Sequence, residues 1–235
     1  FARIDTMITR IAPEMDLRIG QPEEGGLRLS GTVGVVVMMG LLTLLPTLLL
    51  MTTSFTRILV VLHLLRQALG TQTAPPAHLM AALALLLSGY VMAPTLSEVN
   101  ATALQPWMNG EIDQSQMLAT GIKPFRDFML DQTRESDLAT FIELRGTDTF
   151  DSVDDIPFVV VMSAFVTSEL RTAFQIGFAL FLPFIIVDVV VSAVLMSMGM
   201  FMLPPAMISL PFKLLLFVLV DGWSLIVQGL VQSFN

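Results

Sequence analysis

Apolar residues in this chain are gathered into blocks, and the blocks have helical length. From Leu29 to Thr56 no position is charged, a run of 28. About 20 apolar residues suffice to cross a bilayer core as a helix. Pro46 lies inside the run and is expected to kink or divide it. Ile58 to Leu65 reads as a second apolar helix, flanked by Arg57 and Arg66 and closed by the turn Gly70-Thr-Gln-Thr-Ala-Pro-Pro76. Residues 79–97 are again uncharged. Residues 98–157 change character, with helix-like stretches at Gln114–Ala119 and Pro124–Leu144 and a loop from Gly146 to Asp155. The 124–144 stretch sets Phe125, Phe128, Met129 and Phe141 among charges, an amphipathic pattern. From Phe158 to Asn235 the chain is hydrophobic once more, and Met198-Gly-Met-Phe-Met-Leu-Pro-Pro205 divides that block into the two arms of a hairpin.

The prediction is an all-α protein of the membrane type, built from hydrophobic helical hairpins. Four stretches follow: a variable arm at 1–30, a first helical hairpin region at 31–97, an acidic helical segment at 98–157, and a C-terminal hairpin with a Met-rich tip at 158–235. Composition agrees. The 235 residues are 54% hydrophobic and 14% charged, against roughly 25% charged in soluble domains. The net charge of −8 is carried by residues 98–157, where twelve acids face four bases. That balance excludes nucleic acid as a partner, since binding it needs clustered Lys and Arg, and it suits exposure to water. The absence of cysteine excludes disulfides and thiol chemistry. The chain opens on Phe1, the pattern expected once a signal peptide has been removed. Arg57 and Arg66, with no acid in the 57–77 link, predict that this link faces the cytoplasm. The acidic segment and the N-terminal residues then lie on the outer side.

Five charges stand where an apolar helix should have none: Glu169, Arg171, Asp188, Lys213 and Asp221. Asp188 follows 16 uncharged residues and precedes 24 more. A lipid-facing ion at mid-bilayer costs about 2.5–3.5 kcal/mol on insertion scales, so Asp188 and Lys213 are expected to be paired and buried, within the hairpin or across subunits. Glu169 and Arg171 can also be read as a helix end at the membrane surface, where long side chains reach water. Met196, Met198, Met200 and Met202, with Phe201 among them, form a deformable apolar tip. Its bland reading is filler; its functional reading is a soft seal. No nucleotide-binding motif and no HExxH or GxSxG setting occurs, and His63 and His78 stand apart from each other. The sequence therefore points to a protein that is not an enzyme and carries no cofactor.

Several strings together resemble the FliP/SctR family of type III secretion export-gate subunits. They are Met51-Thr-Thr-Ser-Phe-Thr-Arg-Ile58, Leu64-Leu-Arg-Gln-Ala-Leu-Gly-Thr-Gln-Thr-Ala-Pro-Pro76 and Phe128-Met-Leu-Asp-Gln-Thr-Arg134. Phe165-Val-Thr-Ser-Glu-Leu-Arg-Thr-Ala-Phe-Gln-Ile-Gly177, Pro204-Pro-Ala-Met-Ile-Ser-Leu-Pro-Phe-Lys-Leu214 and Phe217-Val-Leu-Val-Asp-Gly-Trp223 complete them. The resemblance is colinear over about residues 35–235. It implies a bacterial inner-membrane protein of the flagellar basal body, assembled as a homo-oligomer, a pentamer, with FliQ and FliR into a helical channel entered through FlhB. Unfolded flagellar proteins would pass through it, and membrane lipid would surround part of it. The family's methionine gasket falls on Met200, Phe201 and Met202, with phenylalanine in place of the central methionine. Its charged positions fall on Glu169, Asp188 and Lys213, and Lys213 is expected to pair with one of those acids across a subunit boundary. Two other readings stay open. One is a virulence-injectisome export gate with different cargo. The other is a proton-coupled transporter with Asp188 as carrier, which would work without FliQ and FliR.

Overall fold

The computed structural model describes residues 17–18, 28–29, 32–71, 73–146, 150 and 152–234, with side chains from Met38 onward except Leu41 and Leu45. Most of the predicted N-terminal arm therefore lies outside the described residues, as does part of the 146–155 loop. What is described is all-α apart from two short strands, β1 (Leu17–Arg18) and β2 (Arg28–Leu29), paired antiparallel. The chain divides into two units, residues 1–49 and 50–235.

The first unit holds β1, β2 and most of α1 (Thr32–Met51). Pro46 does not divide α1, which runs on to Met51. The second unit begins with α2 (Phe55–Ala68) and α3 (Ala77–Val91). A helical path then continues through α4 (Ala93–Val99), one π-turn and α5 (Gln105–Met108). The acidic segment adds α6 (Gln114–Gln132) and α7 (Glu135–Leu144). The last block comprises α8 (Phe158–Ser197), α9 (Pro205–Leu219) and α10 (Gly222–Gln232).

The expected single helix over 124–144 is corrected. Helix α6 continues through Pro124, and the break falls at Thr133 and Arg134, both extended. There the Thr133 hydroxyl bonds back to the Met129 carbonyl, while the Arg134 backbone N–H donates to Ser168 Oγ on α8. A tertiary hydrogen bond thus replaces a helical one. The start of α6 is a capping box: Gln116 N–H reaches Asp113 Oδ1 at 2.7 Å, and the Gln116 side chain returns to the Asp113 N–H.

Helix α2 shows why it is buried. Ile58, Val61, Leu62 and Leu65, spaced i, i+3, i+4, i+7, are all fully covered, and α2 packs most extensively against α8. On α8 Glu169, Ala173 and Gly177 meet it, part of a buried stripe that also takes in Val161, Ala164, Phe165 and Ser168. One hydrophobic cluster joins α2, α3, α8, α9 and α10 around Leu62, Met80, Phe184, Phe217 and Leu230. A second belongs to the acidic segment, where Met129 and Ile156 meet Val161 and Phe165 of α8, with Leu138 and Ile142 packed on them. At 40 residues, α8 is about 60 Å long, roughly twice a bilayer core. Its first half carries the second cluster. Helix α8 alone is long and apolar enough to cross a membrane among the described residues; the bent pairs α3 with α4–α5 and α9 with α10 pass the same test only when each is taken as one span.

Two outcomes follow. A Cβ at Gly177 would stand 2.2 Å from Leu64 Cδ1 and 3.1 Å from Leu64 Cβ. Gly177→Ala should therefore cost about 1–3 kcal/mol through overpacking of the α2–α8 contact, read as a lowered unfolding midpoint in detergent. The carboxyl of Asp113 is held below the usual carboxylate range by the Gln116 backbone N–H and then by the Ser115 hydroxyl. A carboxyl with a lowered folded-state pKa stabilises above its unfolded value, and that support is lost as pH falls through the folded one. Amide exchange at 114–120 should accelerate on acidification in the wild type, relative to the intrinsic exchange rate, and this pH-linked part should be absent in Asp113→Ala.

Candidate functional site

Four of the five misplaced charges resolve into three pairs within one chain. At the first, Glu169 is fully buried on α8 and Arg57 is buried in the first turn of α2. Arg57 Nε donates to Glu169 Oε2 at 2.9 Å, and Nη2 donates to Oε1, making a bidentate fork. Nη1 reaches the Ser233 carbonyl at 2.7 Å and Ser233 Oγ at 3.2 Å; Nη2 also donates to Gln132 Oε1 at 3.1 Å. The Phe234 ring lies over the guanidinium, 3.9 Å from its carbon to the ring centroid. Four parts of the chain (α2, α6, α8 and residues 233–234) meet on one cation.

The second pair is Lys213 with Asp188, Nζ to Oδ2 at 2.6 Å, joining α9 to α8. Ser209 Oγ donates to the other carboxylate oxygen at 2.6 Å, and Lys213 Nζ also donates to the Ala68 carbonyl at 3.2 Å. Lys213 thereby caps the last turn of α2, where a cation complements the helix dipole. The third pair is Arg171 with Asp137, 3.1 Å, a half-exposed guanidinium on α8 against a buried carboxylate on α7. Asp137 Oδ2 has no hydrogen-bond partner among the described residues. Asp221 is exposed at the break between α9 and α10, in the left-handed region at φ 50°.

These placements revise the sequence reading at several points. The pair expected across a subunit boundary closes inside the chain, because α8 and α9 fold back on each other and bring positions 188 and 213 to the same level. Glu169 is matched by Arg57, and Lys213 takes the other acid. Arg57 is not a link charge at all, so the charge bias of the 57–77 link rests on Arg66, whose Nη1 bonds the Pro75 carbonyl. Asp137 belongs to no solvated face. Gln132, Ser209 and Phe234 were not singled out in the sequence. Arg57 had a signal: it is one cation between a 28-residue uncharged run and the apolar run Ile58–Leu65.

The methionine tip is built by the chain's own helix ends. Helix α8 stops with Gly199 at φ 77°, its N–H on the Met196 carbonyl and the Met200 N–H on that of Leu195, both 3.0 Å. That is a Schellman end, and glycine reaches its left-handed conformation without a Cβ clash. Pro204 and Pro205 then start α9. Between them Met202 is 99% exposed and Phe201 77% exposed; Met196 and Met198 are exposed and Met200 is half-buried. Behind the tip, Ile186, Val190 and Val194 of α8 and Phe212, Leu215 and Leu219 of α9 line an open apolar groove of about 690 Å³.

The class defined by this arrangement is an all-α membrane protein whose hydrophobic helices pair their buried charges within the chain and leave large apolar faces exposed. A family model described as the FliP family matches residues 38–230, and the chain belongs to that family. Relatives named flagellar biosynthetic protein FliP include one from Pectobacterium carotovorum subsp. carotovorum, 51% identical over 210 residues, covering 89% of this chain and 81% of the relative. The Bacillus subtilis (strain 168) relative is 49% identical over 205 residues, 87% and 93% of the two chains. That of Aquifex aeolicus (strain VF5) is 44% identical over 225 residues, 95% and 92%.

The geometry predicts an asymmetry at the second pair. The Asp188 side chain is 37% exposed and that of Lys213 only 8%, so losing the wetter partner strands the drier charge. Asp188→Ala should cost about 3–5 kcal/mol, the range for an uncompensated buried ion. Lys213→Ala should cost about 1–3 kcal/mol, the range for an acceptor losing its donor. Unfolding midpoints of the two variants in the same detergent compare them directly.

Proposed function

We propose that the chain is a core channel subunit of the flagellar type III protein export gate, passing unfolded flagellar proteins and sealed in the closed state by its methionine tip. The observation that carries this reading is the exposure of Phe201 and Met202 on a loop whose two ends are fixed by Gly199 and the Pro204–Pro205 start of α9, with Met196 and Met198 exposed at the end of α8 beside it. A large apolar tip left bare by its own chain is suited to contact with something else. Thioether side chains adapt to irregular surfaces at small cost, so a ring of such loops can close softly and reopen around a passing polypeptide. Phe201 keeps the apolar bulk with less freedom.

In this reading the subunit forms a homo-oligomer, a pentamer, with FliQ and FliR and with FlhB at the entrance, in the bacterial inner membrane at the flagellar basal body. Residues 98–157 and the N-terminal residues lie on the periplasmic side, where the acidic segment supplies contacts between subunits. Apolar faces left exposed on one chain, such as Phe174, Phe178, Leu182 and Ile186 on α8, support burial against neighbouring subunits and lipid. No catalysis and no cofactor enter the reading. The flagellar names of the relatives favour flagellar over injectisome cargo. A proton-carrying Asp188 draws no support, because Lys213 and Ser209 hold both its oxygens.

The test is electrical. Complexes carrying Met200→Ala together with Met202→Ala, reconstituted in planar bilayers without cargo, should leak small ions where wild-type complexes are closed. Wild-type conductance in that variant would discard the seal.

A further inference from the structure

A guanidinium has five N–H donors, and every one on Arg57 is used: two on Glu169, two on Ser233 and one on Gln132. Two of the five acceptors, and the aromatic ring over the cation, come from residues 233 and 234. These follow α10, whose own attachment is thin. Its buried residues are Gly222, Ile226 and Leu230, a single i, i+4, i+8 row. The joint that leads into it is a 66° bend after α9. Asp221 there is left-handed, and Gly222 sits against the Phe217 ring so closely that a Cβ would come within 2.3 Å of it. Gln132 addresses both sides of the contact. Its Oε1 accepts from Arg57, and its Nε2 donates to the Phe234 carbonyl at 3.1 Å. Phe128, one turn before Gln132 on α6, stacks on the Phe234 ring with centroids 6.4 Å apart.

We infer that α10 with Ser233 and Phe234 is a strap that closes over the Arg57–Glu169 pair, and that α6 is its catch. With the strap open, two guanidinium N–H groups and one face of a buried cation lose their partners, so closing is strongly favoured once the pair exists. With α6 displaced, Phe234 loses both its stacking partner and the donor to its carbonyl. The strap thus couples the seating of the acidic segment to the position of α10 and, through the Asp221 joint, to α9 and the methionine tip. This does not depend on what the tip seals.

Gln132→Glu separates the two halves of the catch. It keeps an acceptor for Arg57 and removes the donor to Phe234. Phe234→Leu keeps apolar bulk and removes the ring from the cation. Hydrogen exchange would be followed by mass spectrometry on the purified full-length protein in detergent. Exchange at residues 222–234 should rise about tenfold or more in both variants, while 158–184 on α8 stays at the wild-type rate, the pattern of one unit opening locally. Unchanged exchange at 222–234 in both variants would overturn the strap. So would an equal rise on α8, since that is loss of the whole fold and not release of one element.

Discussion

The structure depends on one buried ion pair. Arg57 enters the first turn of α2, where the helix dipole disfavours a cation, and it lies in surroundings where an unpaired charge is prohibitive. Glu169 on α8 offsets both costs. Because the fork between guanidinium and carboxylate is planar and bidentate, it sets the axial register of α2 on α8 as well as their contact. Gly177, two turns further along α8, then meets Leu64 at a distance only glycine allows. Charge and shape fix the same alignment.

From that contact the molecule is built in two directions. Toward the start of α8 the acidic segment makes its own small core around Met129 and Phe165, and Gln132 joins it to the pair. Toward the end of α8 the helices turn apolar on all sides, and Asp188 with Lys213 closes the hairpin onto the end of α2. The hydrophobic helices thus settle their buried charges internally and leave outward mainly what another apolar surface can cover: the α8 face, the groove between α8 and α9, and the methionine tip. An element that repels no neighbour and demands no specific donor is suited to packing in a ring and to yielding when the ring opens.

Much of this was legible in the sequence. The charge-free runs, the Met198–Pro205 break and the acidic middle segment are periodicity and composition, which survive without tertiary information. So were the anomalous charges at Glu169, Asp188 and Lys213. Their partners were not legible, because pairing depends on which helix faces are brought together. Arg57 and Arg66 both bound an apolar run and look alike in the sequence; only the packing of α2 on α8 distinguishes the buried one. Helix α6 ends at Gln132 and not beyond for the same kind of reason, a hydrogen bond from Arg134 to a serine on another helix.

The pair on which the fold rests closes within a single chain. A double-mutant cycle on Arg57→Met and Glu169→Leu tests it, measured as unfolding free energy on detergent-dispersed monomer at concentrations where no assembly persists. A coupling energy of about 2–3 kcal/mol in the monomer, with the double variant less destabilised than the two single losses combined, is the result expected of a buried intrachain pair. Coupling near zero in the monomer that appears only in the assembled complex would contradict it, and would place the partner of Arg57 on a neighbouring subunit.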